Sequence, residues 1–187
     1  MTARLRSPAR RLQRPALPTR TAPIELAPLS LADPAAIESL LDRAFEPERR
    51  GRTAYKVRGD AAALPGLSFA AFDNGALVGT VQCWPVRFVP DAGAPAPLVM
   101  VGPVAVAPER QRDGLGRRLM ARALAAATQA GLDDGLVLIG DPEYYGRFFS
   151  FTAERTATWR LPGPVEQRRL LARGDRVPDA AGKLGPA

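Results

Sequence analysis

The stretch from Val99 to Gly131, VMVGPVAVAPERQRDGLGRRLMARALAAATQAG, leaves a folded chain few choices. Val99, Val101, Val104 and Val106 supply the β-branched bulk of a strand. Pro103 interrupts that run, which predicts a bulge or a local splaying. Pro108 closes the strand, and Gln111-Arg112-Asp113-Gly114-Leu115-Gly116 follows. Glycines there let the backbone take dihedrals that other residues resist and pass close to a bulky group. A helix starts at once. Leu115, Leu119, Ala123 and Ala127 share one side of it, with Met120 and Leu124 beside them. Arg118, Arg122 and Gln129 line the opposite side, and Gly131 suits its C-terminal end.

A strand, a glycine turn and a helix in that order make an anion site. The first N–H groups of a helix have no internal partner, and the helix dipole adds partial positive charge at that end. Phosphate is the natural occupant. Arg112, Arg117 and Arg118 bring full charges close by. The turn is neither GxxxxGK[ST] nor GxGxxG, so neither the nucleoside-triphosphate loop nor the dinucleotide fingerprint applies.

The pattern Gln111-x-x-Gly114-x-Gly116 after V-A-V-A-P-E resembles the acetyl-CoA signature of the GNAT N-acetyltransferase superfamily. A second stretch, Gly140-Asp141-Pro142-Glu143-Tyr144-Tyr145-Gly146-Arg147-Phe148, resembles the other landmark of that family, in wording close to its YhbS-like branch. The likeness covers roughly Ile24 to Leu171 in the order of elements and is specific over Val99–Phe151. It implies an α/β (α+β) fold: a mixed, mostly antiparallel sheet with helices on both faces. The central strand and Leu136–Ile139 would run parallel and then splay to admit a pantetheine arm. It also implies an acetyl-CoA-dependent N-acetyltransferase that moves an acetyl group directly to a primary amine. A non-catalytic, regulatory acyl-CoA-binding module is the alternative. A third reading, a binder of anionic polymers, rests on the first residues alone.

The resemblance places roles on residues. Gly114 and Gly116, with the amides of Gln111, Arg112 and Leu115 and the charge of Arg117, would hold the pyrophosphate. Val104 and Val106 would offer backbone groups to the pantetheine, and Phe148 would be core or an adenine contact. Asp113 stands where an acid would repel phosphate unless it turns outward or pairs with Arg117. Tyr145 would protonate the departing thiolate, with Tyr144 the competing choice, because this chain departs from the common Y-x-x-x-G-F spacing. A phenol titrating near 10 suits a thiolate near 8.5. Asp141 or Glu143 would take the amine's proton, directly or through water, although both also make sense as residues that open a helix.

Composition narrows the chemistry. The chain has no histidine and a single cysteine, Cys83, among its 187 residues. That removes Ser-His-Asp and Cys-His catalysis, a His/Cys zinc site and an internal disulfide. No metal is expected, and Cys83 reads as a core thiol. The formal charge of +7 suggests nucleic acid, but residues 1–20 hold six arginines and no acid. Without them 20 bases face 19 acids, so the body of the chain is close to neutral and nucleic acid is not expected as a partner. No apolar run nears the roughly 20 residues that span a bilayer. Residues 1–22 read as a disordered Arg/Pro-rich leader, with a transit-like peptide or a basic arm as alternatives. The folded domain is set at 23–173 and a flexible tail at 174–187. A cytoplasmic monomer or homodimer is the expected setting.

Further elements follow from pattern. Ile24–Leu29 is a short strand; Asp33 or Ser30 caps a helix over Pro34–Phe45. Leu67–Phe72 and Leu77–Val89 pair across Asp73-Asn74-Gly75. Leu136–Ile139 is a buried strand, Glu143–Phe149 a helix, Phe151–Arg160 a strand and Arg168–Arg173 the last strand. Glu46–Leu64, charged and irregular, matches the segment that forms part of the acceptor site in this superfamily, and otherwise reads as a solvated loop with a short helix.

Overall fold

The computed structural model describes residues 23–187. Helix α1 (Pro34–Phe45) begins where Asp33 accepts hydrogen bonds from the amides of Ala35 and Ala36, both at 3.3 Å. Strands β1 (Glu25–Pro28) and β2 (Phe69–Asp73) flank it in sequence. Between α1 and β2 lies α2 (Thr53–Arg58). Strand β2 turns into β3 (Ala76–Pro90) through Asn74 and Gly75, both at positive φ (49° and 82°), as a tight hairpin of twisted strands requires. Strand β4 (Ala96–Val106) pairs antiparallel with β3, and α3 (Leu115–Gln129) follows it. Then come β5 (Leu136–Ile139), α4 (Pro142–Phe149), β6 (Trp159–Arg160), β7 (Leu170–Arg173) and β8 (Gly182–Pro186).

The strands form one mixed sheet in the order β1-β2-β3-β4-β5-β7, with β8 against β3 and β6 against β8. The pairs β4–β5 and β6–β8 are parallel; the others are antiparallel. Alternation along the strands sorts the core into two layers. Val99 and Val101 of β4, Leu136 and Leu138 of β5 and Leu171 of β7 pack with α1 and α3. Leu98, Met100, Val137, Leu170 and Ala172 point the other way, toward Val57 of α2, Trp159 and Leu184. Gly79 lets α3 lie close on β3: a Cβ there would stand 2.9 Å from the Leu119 side chain.

Two details position the site. First, β4 and β5 pair only at Val99–Leu136 and Met100–Val137, after which they part. Secondly, β4 carries an extra residue between Val101, opposite Cys83, and Val104, opposite Val81. This bulge holds Pro103, whose missing N–H cannot serve a ladder. The indole N–H of Trp84 donates to the Gly102 carbonyl at 2.8 Å and pins it.

The leader expected at 1–22 lies outside the described residues. The structure corrects other expectations. Phe151–Arg160 is not a continuous strand: Thr152 makes an isolated bridge to Ala172, turns follow, and only Trp159–Arg160 is extended. The tail expected to be loose after Gly174 instead returns as β8, five residues in register with Val86–Pro90 of β3. Leu184 is buried, and a Cβ at Gly182 would meet the Phe88 ring at 2.4 Å, so this strand is packed in place. Its sequence, Gly-Lys-Leu-Gly-Pro, carries little strand propensity; the exposed edge of β3 supplies the pairing. Between β6 and β7, Gln167–Arg169 is a single 3₁₀ turn leading into the strand.

Candidate active site

The parting of β4 and β5 opens two adjoining cavities. The smaller, about 200 Å³, is lined by Val104, Val106, Gln111, Gly116, Met120 and Tyr144 among others. The larger, about 660 Å³, runs between β4, the start of α4, α2 and the turn before β7. Phe45, Val104 and Tyr145 line both.

The smaller cavity abuts the start of α3. Gly114 is the residue before the helix, at φ 74°, and it offers no side chain to cap the first turn. Asp33 and Asp141 cap α1 and α4 with their carboxylates. The first intrahelical bond of α3 is Arg118 N to Gly114 O at 3.2 Å, so the amides of Leu115, Gly116 and Arg117 precede the helical ladder. Arg112 also sits at positive φ (81°), which bends the turn around this end. Asp113 does not pair with Arg117. Its carboxylate lies 3.4 Å from Arg110, which also reaches Asp73 at 3.1 Å, so the acid is drawn toward β2. The Leu115 side chain is in the core, which leaves only its backbone at this turn. A Cβ on Gly116 would lie 3.8 Å from Val106 and 3.9 Å from Val104, which is ordinary contact. The Arg117 guanidinium lies 5.1 Å and that of Arg147 5.2 Å from the ring of Phe148, an exposed aromatic that lines neither cavity.

Helix α4 places Tyr145 at the junction. Its ring packs directly against Gly140: a Cβ there would meet two ring carbons at 2.3 and 2.6 Å. Glycine before this helix is therefore what lets the tyrosine take its place. Desolvation pushes the Tyr145 phenol up to about 12, with the neighbouring Tyr144 and Asp141 adding to the shift. Tyr144 lines the smaller cavity alone, and burial raises it too, against the opposing charge of Arg117. Asp141 lines the larger cavity while its Oδ1 accepts from the Glu143 amide at 3.0 Å and the Tyr144 amide at 3.4 Å. Hydrogen bonding with the Glu143 side chain and these amides holds Asp141 below the ordinary carboxylate range. Glu143 points to solvent, 2.9 Å from Arg168, and lines neither cavity. Cys83 is buried in the core, and desolvation lifts its thiol to about 12.

The wall of the larger cavity opposite α4 comes mostly from the Glu46–Leu64 segment that the resemblance pointed to, although the sequence singled out none of its residues. Phe45, Arg49, Arg52, Tyr55 and Arg58 line it, from the end of α1 through α2. Arg49 is 1% exposed, held at 2.8 Å by Asp42 and at 2.6 Å by Glu38, and it also donates to the Tyr55 hydroxyl. Nothing local distinguishes Arg49 from Arg50 or Arg52; only the packing of α1 against this turn chooses it. Among the described residues no cluster of three or more His, Cys, Asp or Glu is placed to hold a metal ion.

With this geometry in hand, comparison with known proteins is specific. The family model described as "Acetyltransferase (GNAT) family" matches residues 35–143. "Uncharacterized N-acetyltransferase YhbS" of Escherichia coli K12 is 31% identical over 132 residues, covering 70% of this chain and 76% of that protein. An "Uncharacterized N-acetyltransferase" of Streptomyces avermitilis is 28% identical over 148 residues, but the chain spans only 34% of its length. Among solved structures, Escherichia coli YhbS in complex with CoA superposes with a TM-score of 0.67 at 24% identity, over 94% of this chain and 93% of that one. A GNAT family acetyltransferase from Brucella melitensis in complex with acetyl-CoA gives 0.54 at 27% identity, over 82% and 97%.

Proposed function

We propose, from the premise that this chain belongs to the acetyltransferase (GNAT) family, that it transfers an acetyl group from acetyl-CoA to a primary amine by direct attack. The observation that carries this reading is the position of Tyr145, between a cavity that starts at the uncapped end of α3 and a larger one that opens to solvent. The residues present fit the co-substrate. The amides of Leu115, Gly116 and Arg117 lie at the start of α3 with no competing side-chain cap, and Gly116 lines the smaller cavity, an arrangement that suits a pyrophosphate. Val104, Val106 and Met120 give the smaller cavity an apolar side along which a pantetheine arm would run.

In the reaction the amine nitrogen attacks the thioester carbonyl carbon; a C–N bond forms and the C–S bond breaks. Tyr145 gives its phenolic proton to the leaving sulfur, and the proton lost by the amine returns to the phenolate through water. A phenol that stays protonated to about 12 is always in the donor form at neutral pH. At the β4 bulge Pro103 has no N–H, so the amide of Gly102 or Val104 would polarise the carbonyl oxygen. Glu143 is directed away, toward Arg168, and Asp141 is occupied as the α4 cap; the amine's proton therefore passes to water rather than to Glu143, with Asp141 and Glu166 the carboxylates lining that cavity. Free-thiol release from acetyl-CoA over a panel of primary amines tests the proposal. Release that depends on the amine supports it. CoA binding without release from any amine favours the regulatory module.

A further inference from the structure

The larger cavity has an unusual wall. Arg58, at the end of α2, lies between two aromatic rings: its guanidinium carbon is 3.8 Å from the Tyr55 ring centre and 4.0 Å from that of Trp84. Both shelves are themselves fixed. The Tyr55 hydroxyl accepts from buried Arg49, which Glu38 and Asp42 hold; the Trp84 indole is bonded to the Gly102 carbonyl. Guanidinium faces stacked on rings leave only the edge for hydrogen bonding. On that edge Nη1 is buried and has no hydrogen-bond partner among the described residues. Burial accordingly pulls Arg58 below the ordinary guanidinium value.

The carboxylates that could answer Arg58 are already engaged. Of the acids lining the cavity, Asp141 caps α4 and Glu166 lies 3.3 Å from Arg168. Glu38, on the far side of Tyr55, is bound by Arg49 and Arg50. Arg52 and Arg169 line the same space and add positive charge. A stationary cation with an unpartnered Nη1 on its edge, in a cavity whose acids are all spoken for, matches a planar anion that can accept along a guanidinium edge.

We propose that the acceptor is a small amine that also carries a carboxylate, an amino acid in the broad sense, and that Arg58 grips that carboxylate while the amine faces Tyr145. This rests on the transfer reading above. Arg58 is here a specificity residue: it touches the non-reacting end of the acceptor, so its loss should appear mainly in KM. The test uses matched acceptors, glycine, β-alanine, L-glutamate and L-phenylalanine, each beside its primary amide, with CoA release as readout. At least one acid should exceed its amide in kcat/KM by about ten- to hundredfold, the range of a charge-assisted hydrogen-bond pair. Arg58→Met should erase that preference, and Arg58→Lys, which keeps charge without the fork, should restore part of it. Amides used as well as acids by the parent, or an acid preference that survives in folded Arg58→Met, overturns the proposal. Should no acceptor release CoA, calorimetry of the same pairs on CoA-saturated protein decides separately. Acids that bind tighter than amides uphold the carboxylate site while the transfer reading falls, and equal binding overturns the site. If Arg58→Met does not fold, the parent's own acid-to-amide ratio decides between a carboxylate site and none.

Discussion

Replacing Gly116 with aspartate puts a carboxylate at the second position of α3, beside the cavity that begins at this helix end. Sterically the change is mild. The new Cβ would lie 3.8 Å from Val106 and 3.9 Å from Val104, with no atom closer. Electrostatically it favours the free protein, since an acid in the first turn of a helix contributes about 0.3–1 kcal/mol. The melting temperature should therefore hold or rise slightly. Against a phosphate the sign reverses. One charge pair about 5 Å apart at an effective dielectric near 20 costs about 3 kcal/mol, which is more than a hundredfold in affinity. If the parent binds CoA in the micromolar range, about −8 kcal/mol, titration calorimetry at about 0.1 M salt should find the variant weakened to about 0.2 mM or beyond. Gly116→Ala supplies the control for bulk, because its methyl meets Val106 and Val104 only at ordinary contact distance and should keep affinity within a few-fold. A folded Gly116→Asp protein with the parent's CoA affinity would refute the assignment of the α3 end as the phosphate site.

Other predictions follow from the same geometry. Tyr145→Phe should lower kcat by about 10²–10⁴-fold with little change in CoA affinity, whereas Tyr144→Phe should cost little; reversed effects would move the proton donor to Tyr144. Because the Tyr145 phenol is raised to about 12, its acid form persists and kcat should show no descending limb between pH 8 and 10; a fall through that range would place the donor elsewhere. Gly140→Ala should mimic the loss of Tyr145 without removing its hydroxyl, since the added methyl must displace a ring 2.3 Å away; kinetics like the parent's would show the ring's seat to be unimportant. Leu184→Ala, in the last strand, should destabilise the fold by about 2–5 kcal/mol in urea; a midpoint within error of the parent would mean β8 does not pack on β3 in solution.

Local sequence was enough for those parts of the protein whose determinants lie close together along the chain. Asp33-Pro34 started α1 and Asn74-Gly75 turned the β2–β3 hairpin, because caps and turns are set by dihedral preference and by hydrogen bonds over two or three residues. The valine run with Pro103, the glycine turn and the amphipathic stripe of α3 gave the strand, bulge and helix that frame the smaller cavity. The parallel pairing of β4 with β5, implied by resemblance, depends on Leu136–Ile139 being apolar throughout. Tertiary structure alone decided the rest. Strand β8 exists because β3 extends past its hairpin partner and leaves an edge to fill; Gly-Lys-Leu-Gly-Pro has no such preference of its own. The direction of Asp113 was fixed by Arg110 reaching across to Asp73, 37 positions back along the chain by subtraction of their numbers. Above all, four arginines between residues 49 and 58 look alike in sequence. Arg49 became a buried strut because two acids one turn apart on α1 converge on it, and Arg58 became a stacked cation because Tyr55 and Trp84 meet around it. A charge's function depends on what surrounds it in space, and side chains from α1, α2 and β4 are brought around one cavity only when the sheet forms.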